Sequence, residues 1–111
     1  MKFEYSPHIA INIKDRNNAG DFYRRVLGME FVEEKQGDLH FKAGTMNFYF
    51  AEGKPGETFL EFKVESVKEA CELLVSEGCT VTKVYSEKSV MISDPHGVNF
   101  HIWEDGADFD N

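Results

Sequence analysis

At 111 residues, 41% of them hydrophobic and ten of them Phe, the chain has material for one compact domain with a real core. Its formal net charge of -8 argues against a nucleic-acid surface, which depends on clustered Lys and Arg, and no apolar run approaches the roughly twenty residues of a membrane helix. Cys71 and Cys79 fall in a predicted helix and at a strand start with no secretory leader ahead of them, so they read as free thiols of a reducing compartment and the expectation is a cytoplasmic protein.

After a short polar start, residues 8–14 alternate Ile9, Ile11 and Ile13 on one face with His8, Ala10 and Asn12 on the other, the pattern of a half-buried strand. Asn18-Ala19-Gly20-Asp21 can then cap a helix. Ala19, Phe22, Tyr23, Val26 and Leu27 form its apolar stripe, and Gly28 supplies a left-handed stop. Residues 29–35 and 39–43 read as short strands joined across Gln36-Gly37-Asp38, and residues 45–52 as a third. Past the turn-rich Gly53-Lys54-Pro55-Gly56 the pattern restarts with a strand over 58–65. Ser66-Val67-Lys68-Glu69 is a capping box, and Val67, Ala70, Cys71 and Leu74 make a second helical stripe that Gly78 ends. Strands over 79–85, 88–93 and 98–104 follow, and residues 105–111 form an acidic tail expected to be loose.

This order is a repeat. Asn47-Phe48-Tyr49-Phe50-Ala51-Glu52 matches Asn99-Phe100-His101-Ile102-Trp103-Glu104, with His101 opposite Tyr49. Residues 9–13 match 60–64, and Gly28 matches Gly78, so the chain reads as two copies of a roughly fifty-residue βαβββ unit. The units span 8–52 and 58–104 within a single domain over 1–111. The fold class is α+β, two tandem βαβββ units forming a curved mixed sheet around a cleft.

Each helix must bury its stripe on its sheet, so Phe22, Val26, Leu27, Phe48, Phe50, Leu74, Phe100 and Ile102 are the expected helix-facing core. The opposite face of the opening and closing strands carries His8, Ala10 and Asn12; Asn47, Tyr49 and Ala51; Phe59, Glu61 and Lys63; and Asn99, His101 and Trp103. Aromatic side chains beside two histidines and a few polar groups have the composition of a small-molecule site. Its expected binding residues are Asn12, Asn47, Phe59, Asn99 and Trp103.

The tandem units, the Phe22-Tyr23 to Val26-Leu27-Gly28-Met29 helix signature and the Asp94-Pro95-x-Gly97 turn before a strand resemble the vicinal oxygen chelate superfamily. That group contains glyoxalase I, extradiol dioxygenases, fosfomycin-resistance enzymes and bleomycin-binding proteins. The resemblance runs from His8 to Glu104 and implies a homodimer with a small-molecule ligand. In the enzymes of the group a divalent metal sits on the opening and closing strands, and the matching positions here are His8, Tyr49, Phe59 and His101. His8 and His101 are thereby the candidate ligands for Zn, Ni, Mn or Fe. Tyr49 stands where the enzymes usually carry Glu, and Phe59, where they usually carry His, cannot coordinate. Glu61, two residues past Phe59 on the same face, is the candidate third oxygen.

Two functions fit this residue set. One is a metal-dependent lyase or dioxygenase, with Tyr49 and Glu61 as candidate catalytic groups moving a proton. The other is a metal-free protein of the bleomycin-resistance kind that binds a small aromatic or cationic compound. His40 and His96 read as ordinary surface residues, and Glu61 beside Lys63 reads equally as a same-face ion pair.

Overall fold

The computed structural model describes residues 1–107. Among them are nine strands and two helices: β1 (Phe3–Tyr5), β2 (His8–Ile13), α1 (Arg16–Arg25), β3 (Glu30–Lys35), β4 (Asp38–Ala43), β5 (Met46–Glu52), β6 (Thr58–Val64), α2 (Val67–Ser76), β7 (Thr80–Ser86), β8 (Ser89–Ser93) and β9 (Asn99–Trp103). The fold is α+β with a mixed sheet, as the hydrophobic periodicity requires. The described chain forms two compact units, Pro7–Phe59 and a second made of Met1–Ser6 with the residues from Leu60 onward.

In the first unit the strand order is β3-β4-β5-β2. β2 and β5 run parallel, with His8 beside Asn47 and Ala10 beside Tyr49. β4 lies antiparallel to both of its neighbours, β3 and β5. A parallel pair needs a long crossover, and α1 with the β3-β4 hairpin provides it.

The capping residue of α1 is Asp15, not the expected Asn18: Oδ1 of Asp15 accepts from the Asn18 amide at 3.2 Å and Oδ2 from its side-chain amide at 2.6 Å. The helix therefore starts earlier and has ended by Val26, with Gly28 beyond it at φ 72°. That shift truncates the apolar stripe. Ala19 and Tyr23 pack on the buried cluster of Ile13, Leu39, Phe41 and Phe50, and Tyr23 stacks on Phe50 with centroids 4.2 Å apart. Phe22, Val26 and Leu27, expected in the core, are exposed. Val26 and Leu27 fall past the last helical residue, and Phe22 lies a helical step of about 100° away from Tyr23.

The second unit has the order β6-β9-β8-β7, with β1 added antiparallel to β6 through the pairs Phe3 with Val64 and Tyr5 with Phe62. β1 was not expected; three residues are too few to show alternation, and the repeat has no counterpart for it. α2 is capped as its sequence requires, the Ser66 hydroxyl oxygen accepting from the Glu69 amide at 3.2 Å. Glu104 adds a second cap from a distance, its Oε1 accepting from the Val67 amide at 2.9 Å. Val67 and Ala70 of α2 meet Val64, Val90, Ile92 and Ile102 in a buried cluster, with Leu74, Cys71, Cys79 and Phe100 packed on it. Neither cysteine is in a disulfide, and burial pushes both thiols above their ordinary pKa.

Because Phe100 and Ile102 face this cluster, Asn99, His101 and Trp103 face the other way. Asp94 locks the turn leading into β9, its Oδ1 accepting from the amides of His96 at 2.8 Å and Val98 at 2.9 Å, while Gly97 takes φ 90°. In the part of the acidic tail that is described, Asp105 pairs with Lys63 at 2.7 Å; residues 108–111 of the expected loose tail lie outside the described residues.

Candidate functional site

The polar face of the second unit is built around His101. Its Nδ1 lies 3.1 Å from Glu61 Oε1 and its Nε2 lies 2.6 Å from Ser89 Oγ. The three residues come from three neighbouring strands, β6, β9 and β8, and alternation points all three to the side away from α2. A carboxylate can only accept, so in the neutral imidazole Nδ1 carries the proton and Nε2 accepts from the Ser89 hydroxyl. The pair is well shielded, with side-chain exposures of 13% for His101 and 18% for Glu61, and Ser89 is more shielded still at 3%. The Tyr85 ring meets that of His101 at 80°, centroids 5.7 Å apart, and carries the Lys83 ammonium over its face at 4.8 Å.

Trp103 borders the same face. Its Nε1 donates to Ser6 Oγ at 3.2 Å, and Lys63 Nζ stands 5.3 Å from the ring centroid. Glu61 is thus held by His101, while the expected ionic partner Lys63 goes to Asp105. Asn99 is paired with Ser93 at the start of β9.

The polar face of the first unit centres on Tyr49. Its ring stacks on His40 with centroids 4.4 Å apart at 22°, and His8 lies 5.7 Å away at 56°. Asn47 Oδ1 is 2.7 Å from His40 Nε2, and the Asn47 side-chain amide donates to the Pro7 carbonyl at 3.4 Å. Asn12 donates from Nδ2 to Glu57 Oε1 at 3.0 Å, and a Cβ on Gly53 would come within 2.8 Å of that same Nδ2, so Asn12 braces the turn that follows β5. Phe59, the last residue of the first unit, pairs with Ala10 within that unit.

Two side chains of these clusters escaped sequence reasoning. Ser89 belongs to β8, a middle strand of its unit, and the register is its signal, since Ser89, Met91 and Ser93 sit opposite Trp103, His101 and Asn99. His40 was read as a surface residue, although it lies directly opposite Tyr49 in the hairpin.

The four positions that the resemblance assigns to a metal, His8, Tyr49, Phe59 and His101, do not fit the four-ligand centre it implies. Phe59 has no donor atom. Among the described residues no three His, Cys, Asp or Glu side chains group so that they could hold a metal ion.

Solved structures repeat the fold at low sequence identity. A glyoxalase/bleomycin resistance protein/dioxygenase superfamily member from Vibrio splendidus matches with a TM-score of 0.68 at 14% identity, over 94% of this chain and 100% of that one. The Mn(II)-bound glyoxalase from Novosphingobium aromaticivorans matches with a TM-score of 0.68 at 19% identity, over 94% of this chain and 39% of that one. A variant of homoprotocatechuate 2,3-dioxygenase from B. fuscum matches with a TM-score of 0.64 at 14% identity, over 93% of this chain and 33% of that one. The chain spans well under half of the latter two proteins, and at these identities the likeness is one of fold. No curated protein matches the chain. The pattern of the Glyoxalase/Bleomycin resistance protein/Dioxygenase superfamily matches residues 6–102, nearly the whole chain, and the chain belongs to that superfamily.

Proposed function

We propose that this chain is a small-molecule-binding member of its superfamily that recognises an oxygen-bearing or aromatic ligand through hydrogen bonds and ring contacts instead of metal coordination. The observation that carries this reading is the donor set, since among the described residues no three His, Cys, Asp or Glu side chains group so that they could hold an ion. The Phe59 side chain reinforces it, because at that position it offers a ring face and no lone pair. In the second unit Trp103 and Tyr85 supply ring surface and Asn99 an amide; in the first, taken by itself, Tyr49 supplies a ring with a phenolic hydroxyl and Asn47 an amide.

Metal analysis tests the reading. The purified protein is dialysed against Ni, Zn, Mn or Fe(II), freed of excess ion and assayed for bound metal, with His8→Ala and His101→Ala alongside. The expected result is no stoichiometric metal in the parent. Stoichiometric metal that either substitution removes would overturn the reading and assign the chain to the metal-dependent lyases or dioxygenases, with His8 and His101 as ligands.

A further inference from the structure

We infer that Nε2 of His101, backed by Glu61, is the acceptor for the hydroxyl proton of a phenol-like ligand, and that the Ser89 hydroxyl occupies the place this ligand hydroxyl takes. The inference rests on the metal-free reading above and names the chemistry its site would select.

The geometry defines what Nε2 can accept. Glu61 Oε1, 3.1 Å from Nδ1, selects the tautomer protonated there and polarises the ring, which makes the far nitrogen a stronger acceptor. The group now in front of that nitrogen is an O–H donor at 2.6 Å, the short separation of a good hydrogen bond. A ligand O–H satisfies the same need. Serine yields easily, since its hydroxyl turns about a single torsion and can then accept from the ligand or donate elsewhere.

The surroundings select among hydroxyl compounds. A carboxylic acid that has lost its proton has nothing to give Nε2 and brings a negative charge towards Glu61. A neutral phenol keeps its proton near pH 7, as the tyrosine value of about 10 implies, and donates a stronger hydrogen bond than an alcohol. Its ring would also meet the Tyr85 ring, which already stands 5.7 Å from the His101 ring and is 53% exposed.

The experiment uses phenol and anisole, which share a ring and differ in the hydroxyl proton, added to the chelator-treated protein. Ring-nitrogen NMR signals of the histidines give the readout. Phenol should shift Nε2 of His101 and bind at least tenfold more tightly than anisole. Glu61→Gln should weaken phenol at least tenfold and leave anisole unchanged. Ser89→Ala should bind phenol as tightly as the parent or several-fold more tightly, because the competing donor is gone. Equal binding of phenol and anisole, no shift at His101, or loss of phenol binding in Ser89→Ala would each overturn the inference. Should Glu61→Gln fail to fold, the parent and the serine variant still decide it. Chelator-resistant stoichiometric metal would defeat the metal-free reading itself, whereas a metal-free protein indifferent to phenol would defeat only this inference.

Discussion

The ring of His40 lies face to face with that of Tyr49, directly across the β4-β5 hairpin, and its Nε2 is tied to Asn47 Oδ1 at 2.7 Å. Cross-strand aromatic pairs and a part-buried hydrogen bond each contribute on the order of 1 kcal/mol. His40→Ala is therefore expected to lower stability by about 1–2 kcal/mol in urea unfolding. Asn47→Ala should lose part of the same energy, so the double variant should fall short of the sum of the singles. Strict additivity would mean that the 2.7 Å contact contributes nothing.

The docking of α1 makes a sharper contrast. Tyr23 stacks on Phe50 and meets Phe41 edge-on, while Val26 stands 52% exposed past the helix end. Removing a large aromatic side chain from a packed cluster costs roughly 3–5 kcal/mol, and an exposed substitution stays within about 0.5 kcal/mol. Tyr23→Ala should thus approach the upper range in chemical denaturation and Val26→Ala should be nearly silent. A large loss at Val26 would show that its exposed face is covered in solution.

These two elements show how far the amino-acid order can be read. Period-two alternation is a geometric constraint, so Phe100 and Ile102 turning inward forced His101 outward, and the strands of both units were legible with ends shifted by a residue or two. The expected α1 stripe runs past the helix because an aspartate three residues before Asn18 is the cap, and the cap position decides which apolar residues remain inside the helix. Glu61 and Lys63 could not be assigned partners from one strand alone. Their choices, His101 and Asp105, depend on chain segments about forty residues away.

Each unit ends in an exposed edge strand with apolar side chains. All of β3 is exposed, including Phe31 and Val32, and β7 leaves Val84 and Tyr85 in solvent. Both strands carry register breaks, a common protection for edges. The expected assembly is a homodimer that covers at least one of these edges. Sedimentation at micromolar concentration should show a species of twice 12.7 kDa, and Phe31→Lys or Val84→Lys should shift it towards the monomer. A parent protein sedimenting only at 12.7 kDa would remove the idea.

The Asp94 turn links stability to acid. Hydrogen bonds from the backbone amide of Val98 first, and then from that of His96, hold the Asp94 carboxyl below its ordinary value of 3.8. A group whose pKa is lower in the folded state contributes stability that is fully present above the unfolded value and disappears as pH falls through the folded one. The contribution should therefore be intact at neutral pH and should fade below about pH 4. Asp94→Asn keeps an oxygen acceptor for both amides and removes the titrating proton. Urea midpoints measured down a pH series should fall less steeply for this variant than for the parent in the acid range, while a gap in favour of the parent remains at neutral pH. Asp15, lowered chiefly by the Asn18 amide that it caps, should add the same kind of acid sensitivity at α1. The double variant Asp15→Asn with Asp94→Asn should then have the shallowest acid limb of the set. Parallel acid limbs for the parent and both variants would show that these carboxylates hold their turns without any proton linkage to folding.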